Sequence, residues 1–151
     1  MNANMNQYQR NHILTASPEQ ILLMLYDGAI KFCRQALIAT EKNELQSKLE
    51  GIRRTLAIVT EFSDSLNHEI GGEIAADLDG LYSYMIRELH ASRRDTTGDH
   101  LKIVERLLVD LRATWAEAID ICKTEQVMLA KKQQAVEERA GLFANRLSAS
   151  G

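Results

Sequence analysis

Proline is almost missing from this chain of 151 residues; it occurs once, at position 18. Its ring and absent N–H break helix interiors, so a chain this poor in proline can hold long helices. Alternating runs bounded by turn residues are also missing, which disfavours β-sheet. Aromatic residues make up only 5%, leaving Leu, Ile and Ala to fill a core. No apolar run approaches the roughly 20 residues needed to span a bilayer, so no membrane insertion is expected. Neither sign of charge dominates: 18 Lys and Arg stand against 21 Asp and Glu, a net charge of −3. Nucleic-acid-binding domains usually carry a basic face, and the pairs Arg93-Arg94 and Lys131-Lys132 read as solvated surface. The leader Met-Asn-Ala-Asn-Met-Asn-Gln-Tyr has neither a basic n-region nor an apolar centre, so it is not read as a secretory signal. A cytoplasmic chain is expected. The two cysteines, Cys33 and Cys122, fall on or beside helical seams and form no Cys-x-x-Cys pair. Both are expected to be small buried hydrophobes, reduced in the cytosol.

Catalytic patterns are equally scarce. A di-iron bundle needs Glu-x-x-His pairs, and none of His12, His68, His90 or His100 has a glutamate three positions earlier. There is no Gly-x-Ser-x-Gly elbow and no phosphate loop. The expectation is a non-enzyme with no catalytic residue, no metal and no cofactor. His68, His90 and His100 read as solvated side chains near helix ends.

What the chain does contain is helix punctuation. Ser17 suits an N-cap, Pro18 the first helical position, and Gln20 completes a capping box. Leu22, Leu25, Ala29, Phe32 and Ala36 then recur at steps of three and four, as on the seam of a bundle helix. Lys42-Asn43 suits a turn. A second helix over about 44–66 would place Leu45, Leu49, Ile52, Leu56, Val59 and Leu66 on its seam. Gly71-Gly72 would end that hairpin. A third over about 73–92 would turn Ile74, Leu78, Leu81 and Met85 inward. Asp99 would cap a fourth, whose seam reads Leu101, Val104, Leu108, Leu111, Trp115, Ala118 and Cys122. Gly28 interrupts the first helix at a cost of about 1 kcal/mol, which predicts a close neighbour there.

These features predict an all-α fold, an antiparallel up-down four-helix bundle. Residues 1–16 form a flexible leader, 17–125 the bundle, and 126–151 a partly helical C-terminal extension. In the extension Leu129, Val136 and Phe143 continue one heptad row, while its companion row turns polar. The helices also carry more apolar surface than one bundle core consumes, with Ile103, Leu107 and Val109 as examples on the fourth. Either the tail covers that surface or grooves stay open for amphipathic partner helices.

Four segments taken together are similar to one known family. Tyr8 precedes Ile13-Leu14-Thr15; Leu25-Tyr26-Asp27-Gly28 lies in the first helix; Leu81-Tyr82-Ser83-Tyr84-Met85 in the third; and Leu107-Leu108-Val109-Asp110-Leu111-Arg112-Ala113-Thr114-Trp115 in the fourth. In this order they resemble the flagellin export chaperones, the FliS family, from about Tyr8 to Cys122. The resemblance implies a chaperone that binds the disordered C-terminal region of flagellin in hydrophobic grooves. It would prevent premature polymerisation and deliver the cargo to the flagellar type III export gate. It also implies that Tyr8, with Ile13 and Leu14, packs on the bundle and yields to cargo. Tyr26, Asp27, Leu56, Val59, Tyr82 and Leu107 are expected to face or support the cargo. The expected state is a monomer or weak dimer. The rival readings are a structural or dimerisation module without cargo, and a metal-binding or enzymatic bundle.

Overall fold

The structure, a computed structural model, describes residues 16–149. Four helices follow one another: α1 (Pro18–Glu41), α2 (Leu45–Asp64), α3 (His68–Ser92) and α4 (Asp99–Ala149). Their boundaries are set by local chemistry. Gln20 N–H donates to Ser17 Oγ at 3.2 Å, and Ser17 N–H donates to the Gln20 side chain at 3.1 Å, so the expected capping box is formed. The α1–α2 turn places Asn43 at φ 57°, a left-handed conformation that asparagine adopts more readily than most residues. Asn67 caps α3 by accepting the Ile70 N–H at 3.1 Å. The helical turn therefore begins at His68, before the diglycine. Gly72 then breaks the helix internally with φ 51° and ψ −121°, backbone angles that a β-carbon would strain.

The start of α4 differs from the expectation. Asp99 is its first helical residue, not its cap. The entry is instead held by Asp95, whose Oδ1 accepts the Thr97 N–H and hydroxyl at 3.0 and 2.7 Å. Thr97 Oγ1 in turn accepts the Asp99 N–H at 3.2 Å. These bonds to its charged form hold the Asp95 carboxyl down at about 2.

Contacts divide the chain into two units, Met1–Ala113 and Thr114–Gly151. In the first, cross-helix pairs show that neighbouring helices run antiparallel. Along α1 and α4, Asp27 meets Arg112, Cys33 meets Leu101, and Arg34 meets Glu105. From α2 to α3 and the loop after it, Ser63 donates to Asp79 at 2.9 Å while Lys48 donates to the Asp95 carbonyl at 2.6 Å. From α3 to α4, Glu88 pairs with His100. On α1 and α2, Tyr26 stacks on Phe62 at one end, while Phe32 and Ala36 lie against Gly51 farther along.

The interior of this unit holds Ala29, Ile30, Cys33, Ala36 and Ala39 of α1, and Ile52, Val59 and Phe62 of α2. Met85 and Leu89 of α3 join Leu101, Val104 and Leu108 of α4. Several seam expectations are corrected here. Leu45, Leu49 and Ile74 are exposed, while Lys48, Thr55 and Phe62 lie inside. The face of α2 is rotated because buried polar groups can be satisfied locally. Thr55 Oγ1 donates to the Gly51 carbonyl at 2.7 Å, and Lys48 buries its stem while its ammonium caps the loop before α4.

The second unit contains the rest of α4. Leu129, Val136 and Phe143 are exposed there, and so is Cys122, against the expectation of burial.

Candidate functional site

Tyr26 and Tyr82 share a hydrogen bond between their hydroxyls, 2.7 Å apart and buried. Phe62 lies between the two rings, stacked on Tyr26 with centroids 4.3 Å apart and tilted against Tyr82 at 5.6 Å. Such ring pairs add about 0.5–1.5 kcal/mol beyond the area they bury. The cluster ties α1, α2 and α3 at one end of the bundle. Tyr82 therefore belongs to the α3 seam, not beside it. Tyr26, Val59 and Tyr82, at 0%, 0% and 2% exposure, present no surface to an incoming chain in this form. Phe62 completes the cluster; three residues after Val59 and four before Leu66, it fits the spacing of the α2 seam, and that spacing was the signal that could have found it.

Asp27 is placed differently. The next residue along from Tyr26, it turns outward and accepts from the Arg112 guanidinium at 2.8 and 3.4 Å. This pair lies along a groove of about 510 Å³ between α1 and α4. Ile30, Ile38 and Val109 supply its apolar lining, and Lys31, Arg34 and Gln35 its polar one. Ile38 is half exposed, and Val109 is also exposed. Among the described residues of the first unit, Ile70 and Ile74 form another exposed apolar pair, at 86% and 70%. Leu56 and Leu107 are half-buried. Tyr8, Ile13 and Leu14 lie outside the described residues.

The groove and its rim offer apolar packing and a paired charge. Cys33 is buried and its thiol is pushed up to about 12, chiefly by burial and secondarily by the nearby Glu105 charge. It donates to the Leu101 carbonyl at 3.4 Å and is no nucleophile at neutral pH. Among the described residues no cluster of His, Cys, Asp and Glu suits a metal ion. No described helix is long and apolar enough to cross a membrane.

The family model described as "Flagellar protein FliS" matches residues 1–122. The chain belongs to the FliS family. A flagellar secretion chaperone FliS of Bacillus subtilis strain 168 is 37% identical over 113 residues, 74% of this chain and 83% of the relative. The flagellar secretion chaperone FliS of Campylobacter jejuni (strain 81116) is 31% identical over 112 residues, 74% of this chain and 88% of its own. That of Salmonella typhimurium (strain LT2) is 32% identical over 106 residues, 70% and 78% of the two chains. In fold, a solved flagellar chaperone from bacteria superposes with a TM-score of 0.63 at 22% identity, covering 78% of this chain and 98% of that one. The FliS match stops at residue 122, so most of the α4 segment in the second unit lies beyond it.

Within the FliS region, one glycine expectation is reversed. A β-carbon at Gly28 would meet only Ile58 Cδ1, at an ordinary 3.5 Å. At Gly51 it would meet the Phe32 carbonyl oxygen at 2.8 Å and Ala36 Cβ at 2.9 Å. The close helix approach is therefore at Gly51. Its only sequence signal is a glycine inside a helical pattern, which Gly28 shows equally. Arg112 was missed as the partner of Asp27 because 85 residues separate them, with no local spacing to betray the pair.

Proposed function

We propose that this chain is a cytoplasmic, ATP-independent export chaperone that holds the C-terminal region of flagellin and delivers it to the flagellar type III export gate. Membership of the FliS family sets the class. The observation that carries the reading is the α1–α4 groove, where Ile30, Ile38 and Val109 line a trough beside the Asp27–Arg112 pair. Beside the buried Ile30, the bundle keeps Ile38 and Val109 in water. An amphipathic segment that becomes helical on docking would cover them, with apolar anchors offsetting the cost of ordering the chain.

The residues take distinct parts in this reading. Tyr26, Val59 and Tyr82 hold the wall from behind. Asp27 fixes one rim of the groove through Arg112. Leu56 and Leu107 are half-buried and remain candidates for contact. Tyr8, Ile13 and Leu14 act as a leader that cargo displaces. The partner set is flagellin and, as the loaded complex, the export gate.

Calorimetry with a peptide from the cognate flagellin's C-terminal end tests the proposal. The expected result is a large negative heat-capacity change with new helicity by circular dichroism. Val109→Glu should weaken binding at least tenfold while the free chain melts as before. Full binding by a folded Val109→Glu variant would exclude this groove, and no uptake by the unaltered chain would exclude the function.

A further inference from the structure

The part of α4 beyond the family match carries a seam of its own. Positions 119, 122, 126, 129, 133, 136, 140, 143 and 147 follow at alternating steps of three and four; they read Ile, Cys, Gln, Leu, Gln, Val, Ala, Phe and Leu. That is the heptad spacing of a two-stranded coiled coil. Leu129, Val136 and Phe143 on this seam are 60–66% exposed. Helices owe most of their stability to packing of an amphipathic face, so this stripe calls for a partner.

Two features choose that partner. Gln126 and Gln133 interrupt the seam. Against an apolar surface each would bury an unpaired amide, at a cost of about 1–3 kcal/mol. Against its own copy, parallel and in register, each amide meets an identical amide that both donates and accepts. The flanking charges agree. Lys132 and Glu137 are five residues apart, on the two edges of the seam. In a parallel pair these positions meet across the interface, giving two Lys132–Glu137 contacts of opposite charge. An antiparallel pair would set the glutamines against Leu and Val instead.

We propose that residues 119–147 pair with the same segment of a second copy as a parallel, in-register coiled coil. Two dissimilar polar features select the same register, and the register brings the two Cys122 side chains to matching seam positions. Cys122 is exposed in the single chain, whereas Cys33 is buried and hydrogen-bonded.

Sedimentation of the full chain from micromolar to submillimolar concentration tests this. A reversible monomer–dimer equilibrium is expected, shifted at least tenfold toward monomer by Val136→Asp. Glu137→Lys should weaken the dimer, and adding Lys132→Glu should restore it, which a general loss of helix would not allow. With oxidised glutathione, the two Cys122 thiols should join in a disulfide while one glutathione disulfide is reduced to two thiols. Cys122→Ser should abolish that link. A chain monomeric throughout, or a dimer indifferent to Val136→Asp, overturns the proposal. A dimer that forms no Cys122 disulfide overturns the parallel register.

Discussion

Adding one methyl group at Gly51 should do the opposite of adding it at Gly28. Both glycines sit inside helices, and alanine gains about 1 kcal/mol over glycine there. At Gly51 the new β-carbon would lie 2.8 Å from the Phe32 carbonyl oxygen and 3.0 Å from the Ala36 backbone nitrogen. Backbone atoms cannot rotate away, so α1 and α2 must move apart. Overpacking of this kind costs about 1–3 kcal/mol, and a clash with backbone belongs at the upper end. The net for Gly51→Ala is a loss of about 2 kcal/mol. With a urea slope of about 2 kcal/mol/M, the unfolding midpoint should fall by about 1 M. At Gly28 the added carbon meets Ile58 Cδ1 at 3.5 Å, an ordinary contact. Gly28→Ala should therefore gain about 0.5–1 kcal/mol and raise the midpoint by about 0.3–0.5 M. Urea titrations followed by far-ultraviolet circular dichroism read both. If Gly51→Ala is as stable as the unaltered chain, or Gly28→Ala is the one that loses, the assignment of the close helix contact is wrong.

In a double-mutant cycle, Tyr26→Phe and Tyr82→Phe should couple by about 1 kcal/mol, the net worth of the hydroxyl bond between them; independent effects would remove that bond from the account. His100 is raised above the usual histidine range mainly by its hydrogen bond with Glu88. Its stabilising share is therefore complete below the unfolded value of about 6.5 and is lost as pH rises through the higher folded value. Stability measured from pH 6 upward should fall less in Glu88→Gln than in the unaltered chain. Asp95 has the reverse sign. Its carboxyl is held at about 2 by the Thr97 side chain and backbone, so its share is present above about pH 4 and disappears as pH falls toward 2. Asp95→Asn should flatten that acid limb in urea titrations run at low pH.

The start of α1 and the α1–α2 turn were legible because their causes are local, whereas α3 starts at His68, ahead of the diglycine, and α4 is entered through Asp95 and Thr97 instead of an Asp99 cap. Ser17, Pro18 and Gln20 are consecutive enough to form a cap without help from the rest of the chain, and Asn43 and Gly72 adopt backbone angles that few other residues tolerate. The family pattern was legible for the same reason: three of its four segments are short words, one each within α1, α3 and α4. The inward face of α2 was not, since apolar residues at steps of three and four fit two neighbouring faces of one helix. Only the neighbours decide between them. Here they bury Lys48, which donates a hydrogen bond to the Asp95 carbonyl, and Thr55, which donates one to Gly51 within α2 itself, and they leave Leu45 and Leu49 outside. The groove has the same origin. Asp27 and Arg112 acquire meaning when α1 and α4 lie antiparallel, a juxtaposition that no spacing along the chain encodes. Sequence alone determined that this chain is helical and whose relative it is, through short-range backbone chemistry. The tertiary structure decided which apolar side chains are core and which are left exposed, because burial belongs to pairs of helices and not to either one.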